Sequence, residues 1–83
     1  MKTEVEQWVI DKVRKIRIER RISQAELALK LGVSRGFIGD VENPKKRAKY
    51  NLNHINEIAL IFDCPMAVFF PEHPILQTWK DED

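Results

Sequence analysis

The stretch from Ser23 to Asn43 constrains the fold most, because it contains the signals for two short helices with a tight turn between them. Ser23 followed three residues later by Glu26 predicts a capping box, in which each side chain accepts a hydrogen bond from the backbone N–H of the other residue. Gly32 can end this helix, because it adopts a positive φ without a steric penalty. Ser34 then caps the second helix. The sequence therefore predicts two helices that share one short connection.

Ten residues of this stretch form a pattern of types at fixed positions: Gln24, Leu27, Ala28, Gly32, Val33, Ser34, Ile38, Val41, Glu42 and Asn43. This pattern resembles that of the phage Cro and repressor family, also called the XRE family. The resemblance extends from about Val13 to Phe70 and so covers most of the chain. It implies an all-α, lambda-repressor-like fold of five helices with a helix-turn-helix, which presents its second helix to the DNA major groove.

The chain has 83 residues, which is enough for one small domain. We expect residues 1–70 to form a helix-turn-helix DNA-binding domain with an extended first helix over residues 4–20. Trp8 and Ile10 lie upstream of the matching segment, and we favour a core role for them over a role in a subunit interface. Residues 71–83 form a C-terminal tail and a possible dimer contact, whose apolar residues are Ile75, Leu76 and Trp79.

Two further helices are predicted after the motif. Asn51 or Asn53 can cap the first of them, which continues to Asp63. Pro65 suits the first position of the second, which spans residues 66–70. The side chains expected to face inward are Leu52, Ile55, Ile58 or Ala59, and Phe62 in the first helix, and Val68, Phe69 and Phe70 in the second.

The formal net charge of +1 conceals an asymmetric distribution of charge. The segment from Lys12 to Lys49 contains twelve Lys and Arg residues against four acidic ones, whereas both ends of the chain are acidic. A basic middle segment is typical of a protein that binds phosphate groups. A solvated charged surface is the alternative explanation, and charge alone does not separate the two.

The second helix of the motif carries the candidate base contacts, which are Arg35, Gly36, Phe37 and Asp40. Arg35 can donate two hydrogen bonds to a guanine, and Phe37 can lie against a thymine methyl group. Asp40 can accept a hydrogen bond from cytosine, or it can be restrained by Arg35 or by Lys45. Glycine at position 36 leaves few side chains to read bases, so we expect DNA shape and phosphate contacts to contribute strongly.

A basic cluster follows this helix directly, at the position where the loop of the family runs beside the DNA backbone. The cluster and its neighbours supply lysine, arginine, hydroxyl and amide groups, all of which can donate to phosphate oxygens. The candidate phosphate contacts are Gln24, Ser34, Lys45, Lys46, Arg47, Lys49, Tyr50 and Asn51.

Arg17 and Glu42 match two positions that pair in the family. The resemblance implies a partly buried, bidentate ion pair between them, which fixes the angle between two helices. This role is structural rather than catalytic.

The sequence offers no catalytic or metal-binding constellation. It has no paired carboxylates, no nucleophile beside a base and no metal-ligand spacing around Cys64, His54 or His73. One cysteine cannot form an internal disulfide, and no segment is apolar enough to span a bilayer. We therefore expect a cytoplasmic protein that is not an enzyme, binds no cofactor or metal and does not contact a membrane.

The leading hypothesis is a sequence-specific regulator of transcription that binds double-stranded DNA. We expect a homodimer that represses from a palindromic operator with half-sites roughly 34 Å apart. The alternative is a protein-interaction module on the same scaffold, such as an antitoxin with a toxin or another protein as its partner, with weak or non-specific DNA binding.

Overall fold

A computed structural model describes residues 2–76 and places them in four α-helices and one 3₁₀ helix. No strand occurs within residues 2–76, so the predicted all-α class is confirmed. The fifth predicted helix is a single 3₁₀ turn. The elements are α1 (Glu4–Glu19), α2 (Gln24–Leu31), α3 (Arg35–Glu42), α4 (Leu52–Phe62) and the 3₁₀ helix (Met66–Phe69).

Side-chain caps fix the starts of α2 and α3 where the sequence places them. The hydroxyl of Ser23 accepts from the N–H of Glu26 at 3.0 Å, and that of Ser34 accepts from the N–H of Phe37 at 3.0 Å. Gly32 ends α2 with φ of 77°, as predicted for a left-handed C-cap. The predicted capping box is only half formed, because Glu26 does not accept from the N–H of Ser23.

Complete capping boxes occur instead at α1 and α4. Thr3 and Glu6 exchange hydrogen bonds of 2.8 and 3.3 Å at the start of α1. At α4, the side-chain oxygen of Asn51 accepts from the N–H of His54 at 2.8 Å, while His54 Nδ1 accepts from the N–H of Asn51 at 3.0 Å. Each box satisfies two backbone donors that a helix start leaves unpaired.

The core forms where all four α-helices and the 3₁₀ helix meet. The rings of Phe62 and Phe69 pack edge to face at its centre, 6.1 Å apart. Ile10 is buried, which agrees with a core role for it. The other buried apolar residues are Val9, Val13, Leu27, Ala28, Ile38, Val41, Ile55, Ile58 and Ala59.

Several residues predicted to face inward are exposed. Trp8 is 45% exposed, because it lies on the side of α1 opposite the buried Val9 and Val13, and Leu52, the first residue of α4, is 72% exposed. Val68 and Phe70 flank the buried Phe69, and they point away from the core because a 3₁₀ helix turns about 120° per residue. In the predicted tail, Ile75 is half-buried and Leu76 is exposed, whereas Trp79 lies outside the described residues.

Within residues 2–76, no helix combines the length and the apolar character needed to cross a lipid bilayer. The same part of the chain contains no cluster of three or more potential metal ligands.

A buried ion pair connects α1 to the end of α3. Arg17 Nε and Nη2 donate to the two carboxylate oxygens of Glu42 at 2.8 and 2.7 Å, and Arg17 Nη1 donates to the carbonyl of Ile22 at 2.7 Å. The two side chains are only 9% and 4% exposed. Gln24 Nε2 also donates to Glu42 at 3.1 Å, and Arg14 Nε lies 3.6 Å from the same oxygen. One carboxylate therefore joins three helices.

Glu42→Ala should destabilise the domain by about 3–5 kcal/mol, because it leaves the buried guanidinium of Arg17 without its counter-charge. The double variant Arg17→Met/Glu42→Leu removes both charges and should recover most of this loss. Urea denaturation followed by circular dichroism measures the free energy of unfolding of each variant. A loss below about 1 kcal/mol for Glu42→Ala, as is typical of exposed pairs, would contradict the assignment.

Candidate nucleic-acid interface

The two-turn helix α3 divides its residues between the core and the solvent. Ile38 and Val41 are buried, whereas Arg35, Gly36 and Asp40 are exposed. The guanidinium of Arg35 takes part in no ion pair within residues 2–76. Its donors are therefore available to a ligand at the start of α3.

The glycines of α3 are not required by packing within the domain. A Cβ added to Gly36 would meet no atom within 4 Å. A Cβ added to Gly39 would lie 3.6 Å from Oε1 of Gln24, which is an ordinary van der Waals contact. The domain itself therefore has room for alanine at both positions, and at Gly36 the open space lies on an exposed surface.

The structure gives Phe37 a packing role, while its contact with a base stays a prediction. Its side chain is half-buried, and its ring lies 5.0 Å from that of His54 and 6.2 Å from that of Tyr50. The helical period explains this orientation, because residues 37, 38 and 41 share one side of α3. Phe37 belongs to the apolar stripe that holds α3 on the domain.

The hydroxyl of Tyr50, a predicted phosphate donor, faces the interior of the domain, and its contact with a phosphate stays a prediction. The hydroxyl is buried and has no hydrogen-bond partner within the described part of the chain. Burial, together with the nearby charge of Glu42, raises the pKa of Tyr50 above its ordinary value, although Arg17 acts in the opposite direction. The phenol therefore stays neutral and serves as part of the packing between α3 and α4.

Lys49 forms a salt bridge with α1, and its contact with a phosphate stays a prediction. Its ammonium lies 2.7 Å from a carboxylate oxygen of Glu6 on α1. Burial alone would raise the pKa of Glu6, but hydrogen bonds from Lys49 and Thr3 outweigh it and lower that pKa. The salt bridge ties the loop before α4 to the capping box of α1.

The three other cations of the loop after α3 are exposed and have no ion pair within residues 2–76. They are Lys45, Lys46 and Arg47. Asn43 shapes this loop, since its side-chain oxygen accepts from the N–H of Lys45 and its carbonyl accepts from the N–H of Lys46, both at 3.0 Å. The loop therefore holds three available positive charges directly beside the end of α3.

The remaining predicted residues have mixed surroundings. Gln24 donates to Glu42, so its amide serves the ion pair rather than an open surface. Ser34 and Asn51 are exposed N-caps of α3 and α4, and their oxygens accept from backbone N–H groups. Asp40 pairs with neither Arg35 nor Lys45 in the described structure.

Sequence reasoning missed Lys2, which caps the far end of α3. Its ammonium donates to the carbonyls of Val41 and Asn43 at 2.6 and 2.7 Å, where α3 has no basic residue of its own. Burial lowers the pKa of Lys2, although Asp11 and Asp40 oppose this effect. A positive charge at a helix C-terminus is stabilising. The contact crosses about 40 residues of sequence, so no local pattern could have indicated it.

Comparison with known proteins places this fold among helix-turn-helix domains. A helix-turn-helix family model matches residues 13–69. A search of curated protein sequences found no match. Among solved structures, the restriction-modification controller protein C.AhdI from Aeromonas hydrophila is 26% identical with a TM-score of 0.64, over 75% of this chain and 91% of that protein.

Two further structures share the fold at lower identity. The N-terminal DNA binding domain of SinR from Bacillus subtilis is 19% identical, with a TM-score of 0.58 over 80% of this chain and 96% of that one. The hypothetical transcription factor NHTF from Neisseria is 23% identical, with a TM-score of 0.64 over 99% and 91% of the two chains. Together these matches confirm the predicted lambda-repressor-like fold.

The lowered pKa of Glu6 makes stability depend on pH. Because the pKa is lower in the folded state than in the unfolded state, the contribution of Glu6 is present above about pH 4.5 and is lost as the pH falls through the folded value. Glu6→Gln should therefore be less stable than the parent at neutral pH, and the difference should shrink on acidification.

Thermal unfolding of both proteins between neutral and acidic pH measures this difference. In a Lys49→Met background, which lacks the cation, the same Glu6→Gln change should have a smaller effect. A difference between parent and variant that stays constant with pH would contradict this role of Glu6.

Proposed function

The chain belongs to the helix-turn-helix family of the XRE type, whose members are DNA-binding regulators of transcription, and we propose that it represses transcription as a homodimer on a palindromic operator. In this proposal α3 enters the major groove, and the loop after it follows the phosphate backbone. One domain carries one such helix, so a palindromic site with half-sites roughly 34 Å apart requires two copies.

The observation that supports this proposal is the distribution of unpaired cations. Several basic residues of the middle segment are engaged within the domain, including Arg14, Arg17 and Lys49. The cations that remain unpaired on α3 and its following loop are concentrated at the two ends of this helix. They are Arg35, Lys45, Lys46 and Arg47. In such a set the cation at the start of α3 can reach a base edge, while the loop cations neutralise phosphates beside the groove that α3 enters.

Within this interface, Arg35 reads sequence and the loop sets position. The guanidinium of Arg35 donates to O6 and N7 of a guanine, while Lys45, Lys46 and Arg47 contact phosphates. Ser34 and Asn51 stand at exposed helix starts, where backbone N–H groups favour anions. Bound copies would exclude RNA polymerase from an overlapping promoter, so occupancy of the site is sufficient for repression.

The exposed Asp40 favours a second candidate function, an antitoxin-like module whose α3 surface binds a protein. Its carboxylate makes no ion pair in the described structure and would face the negative field of DNA phosphates. A basic protein partner would instead be attracted by it. The loop cations oppose this candidate.

Arg35→Ala should remove one guanine preference from the operator and cost about 1–3 kcal/mol of binding free energy, because direct base readout is lost. Lys46→Ala is the matched control. It should weaken binding to all sequences alike and lower the slope of affinity against salt by about one unit. Selection from random duplexes, followed by sequencing and titration at two salt concentrations, measures both effects.

Two results of this selection would contradict the proposed function. The first is weak, salt-sensitive binding that enriches no palindrome, which would move the search to a protein partner. The second is an unchanged base preference for Arg35→Ala, which would remove Arg35 as the base-reading residue.

Gly36→Ala should stabilise the domain by about 0.5–1 kcal/mol, because alanine favours a helix and the site has open space. It should also weaken operator binding, since a methyl group would keep the backbone of α3 away from the bases. Gly39→Ala is the matched control, because that methyl group would face Gln24 rather than the open surface.

Urea denaturation and operator titration on the same preparations separate these two effects. Equal affinity for both variants and the parent would show that Gly36 provides no close approach to DNA.

A further inference from the structure

One exposed face of α1 takes no part in the core or in the proposed DNA interface. Its residues recur at intervals of three and four, and they point away from the buried face of the helix that carries Val9, Val13 and Arg17. All of them are exposed, the two apolar ones by 45% and 48%. We call this face the outer stripe, and it consists of Trp8, Asp11, Lys15 and Ile18.

The two charges of the outer stripe are not paired with each other. Asp11 and Lys15 stand four residues apart on one helix, a spacing that permits an ion pair. In the structure, however, Asp11 accepts a hydrogen bond from Gln7 Nε2 at 2.8 Å, and Lys15 makes no salt bridge within residues 2–76. Asp11 also interacts electrostatically with Lys2, but it forms no salt bridge within residues 2–76, and both side chains of the pair are exposed to another molecule.

We propose that the outer stripe binds the outer stripe of a second copy of this chain, with the two α1 helices antiparallel. The inference rests on the proposed function, which requires a dimer, and it specifies the surface through which the two copies meet. In this arrangement Trp8 packs on Ile18 of the partner subunit, and Asp11 pairs with Lys15 of the partner subunit. The two-fold axis repeats each contact, as in an isologous interface.

The order of the residues is the argument for a second copy. Along α1 the stripe is apolar, acidic, basic and apolar, and the reversed order places an apolar residue against an apolar one and each charge against its opposite. This spacing also matches the a and d positions of an antiparallel coiled coil. The exposed face of α4 offers Leu52 and Leu60 but has no such complementary charges.

The proposed interface is small, so the dimer should form mainly on DNA rather than in free solution. The outer stripe contributes four residues from each copy, whereas a standard stable interface has about 20–30 residues a side. The dimer is therefore weak in free solution. Two half-sites on one duplex hold both copies close together, so the contact between them makes binding to the duplex cooperative.

Charge exchange across the stripe tests the proposal. Asp11→Lys and Lys15→Asp change the net charge in opposite directions, so a purely long-range effect on DNA binding would raise affinity in the first and lower it in the second. A contact between copies predicts that each single variant loses about tenfold in affinity for a two-half-site duplex, because like charges then face each other. The double variant should restore it.

Binding to a half-site duplex separates this contact from DNA recognition. The single variants should bind it without the loss they show on the full site. Trp8→Glu should abolish cooperativity on the full site, whereas the matched variant Leu60→Glu on α4 should keep it. Thermal unfolding of each variant establishes that the domain is still folded.

Opposite effects of the two single variants, or a double variant that stays impaired, would overturn the proposal. Loss of cooperativity in Leu60→Glu but not in Trp8→Glu would assign the dimer to α4 instead. If no variant binds DNA selectively, the proposed function fails. Sedimentation of the parent and the three charge variants at high concentration then tests the interface independently of DNA. Self-association of the parent and the double variant, but not of the single variants, would still support an interface through the outer stripe.

Discussion

The buried carboxylate of Glu42 is the interaction on which the arrangement of the helix-turn-helix depends. A charge with only 4% of its side chain exposed must be compensated by neighbouring donors, and here α1 supplies Arg17 and α2 supplies Gln24. An eight-residue helix such as α3 is too short to be stable alone, so its position follows from these contacts and from the burial of Ile38 and Val41. Lys2 holds the carbonyls at the same end of α3. The recognition helix is therefore fixed by side chains from three other segments.

The need to pair acceptor groups of the domain with cations also determines which positive charges remain for a ligand. The sequence shows a broad basic segment, but three of its cations bind groups of the domain itself. Arg17 pairs with Glu42, Lys49 pairs with Glu6, and Arg20 donates to the carbonyl of Phe62. Each of these pairs joins segments far apart in sequence, so a count of charges overestimates the phosphate-binding surface. Within α3 and its following loop, the unpaired cations, rather than the net charge, outline the interface of the proposed function.

Sequence reasoning succeeded where the determining contact is local. The caps at Ser23 and Ser34 and the positive φ of Gly32 involve residues within a few positions of each other, so their types and spacing are enough to predict them. It could not place Phe37 and Tyr50, because an aromatic side chain suits both a DNA contact and a core. In the structure, both rings pack beside His54 on α4.

A recognition helix with two glycines and an inward-facing phenylalanine has little means of reading many bases. One bidentate arginine discriminates by about 1–3 kcal/mol per half-site, which is small against the number of competing sites in a genome. Specificity in the proposed function must then come from the spacing and orientation of two half-sites. The Arg17–Glu42 pair joins α1 rigidly to α3, so an interface between α1 helices would transmit a fixed geometry to both recognition helices. In the proposed function, sparse base readout and a dimer contact on α1 would thus be two parts of one mechanism.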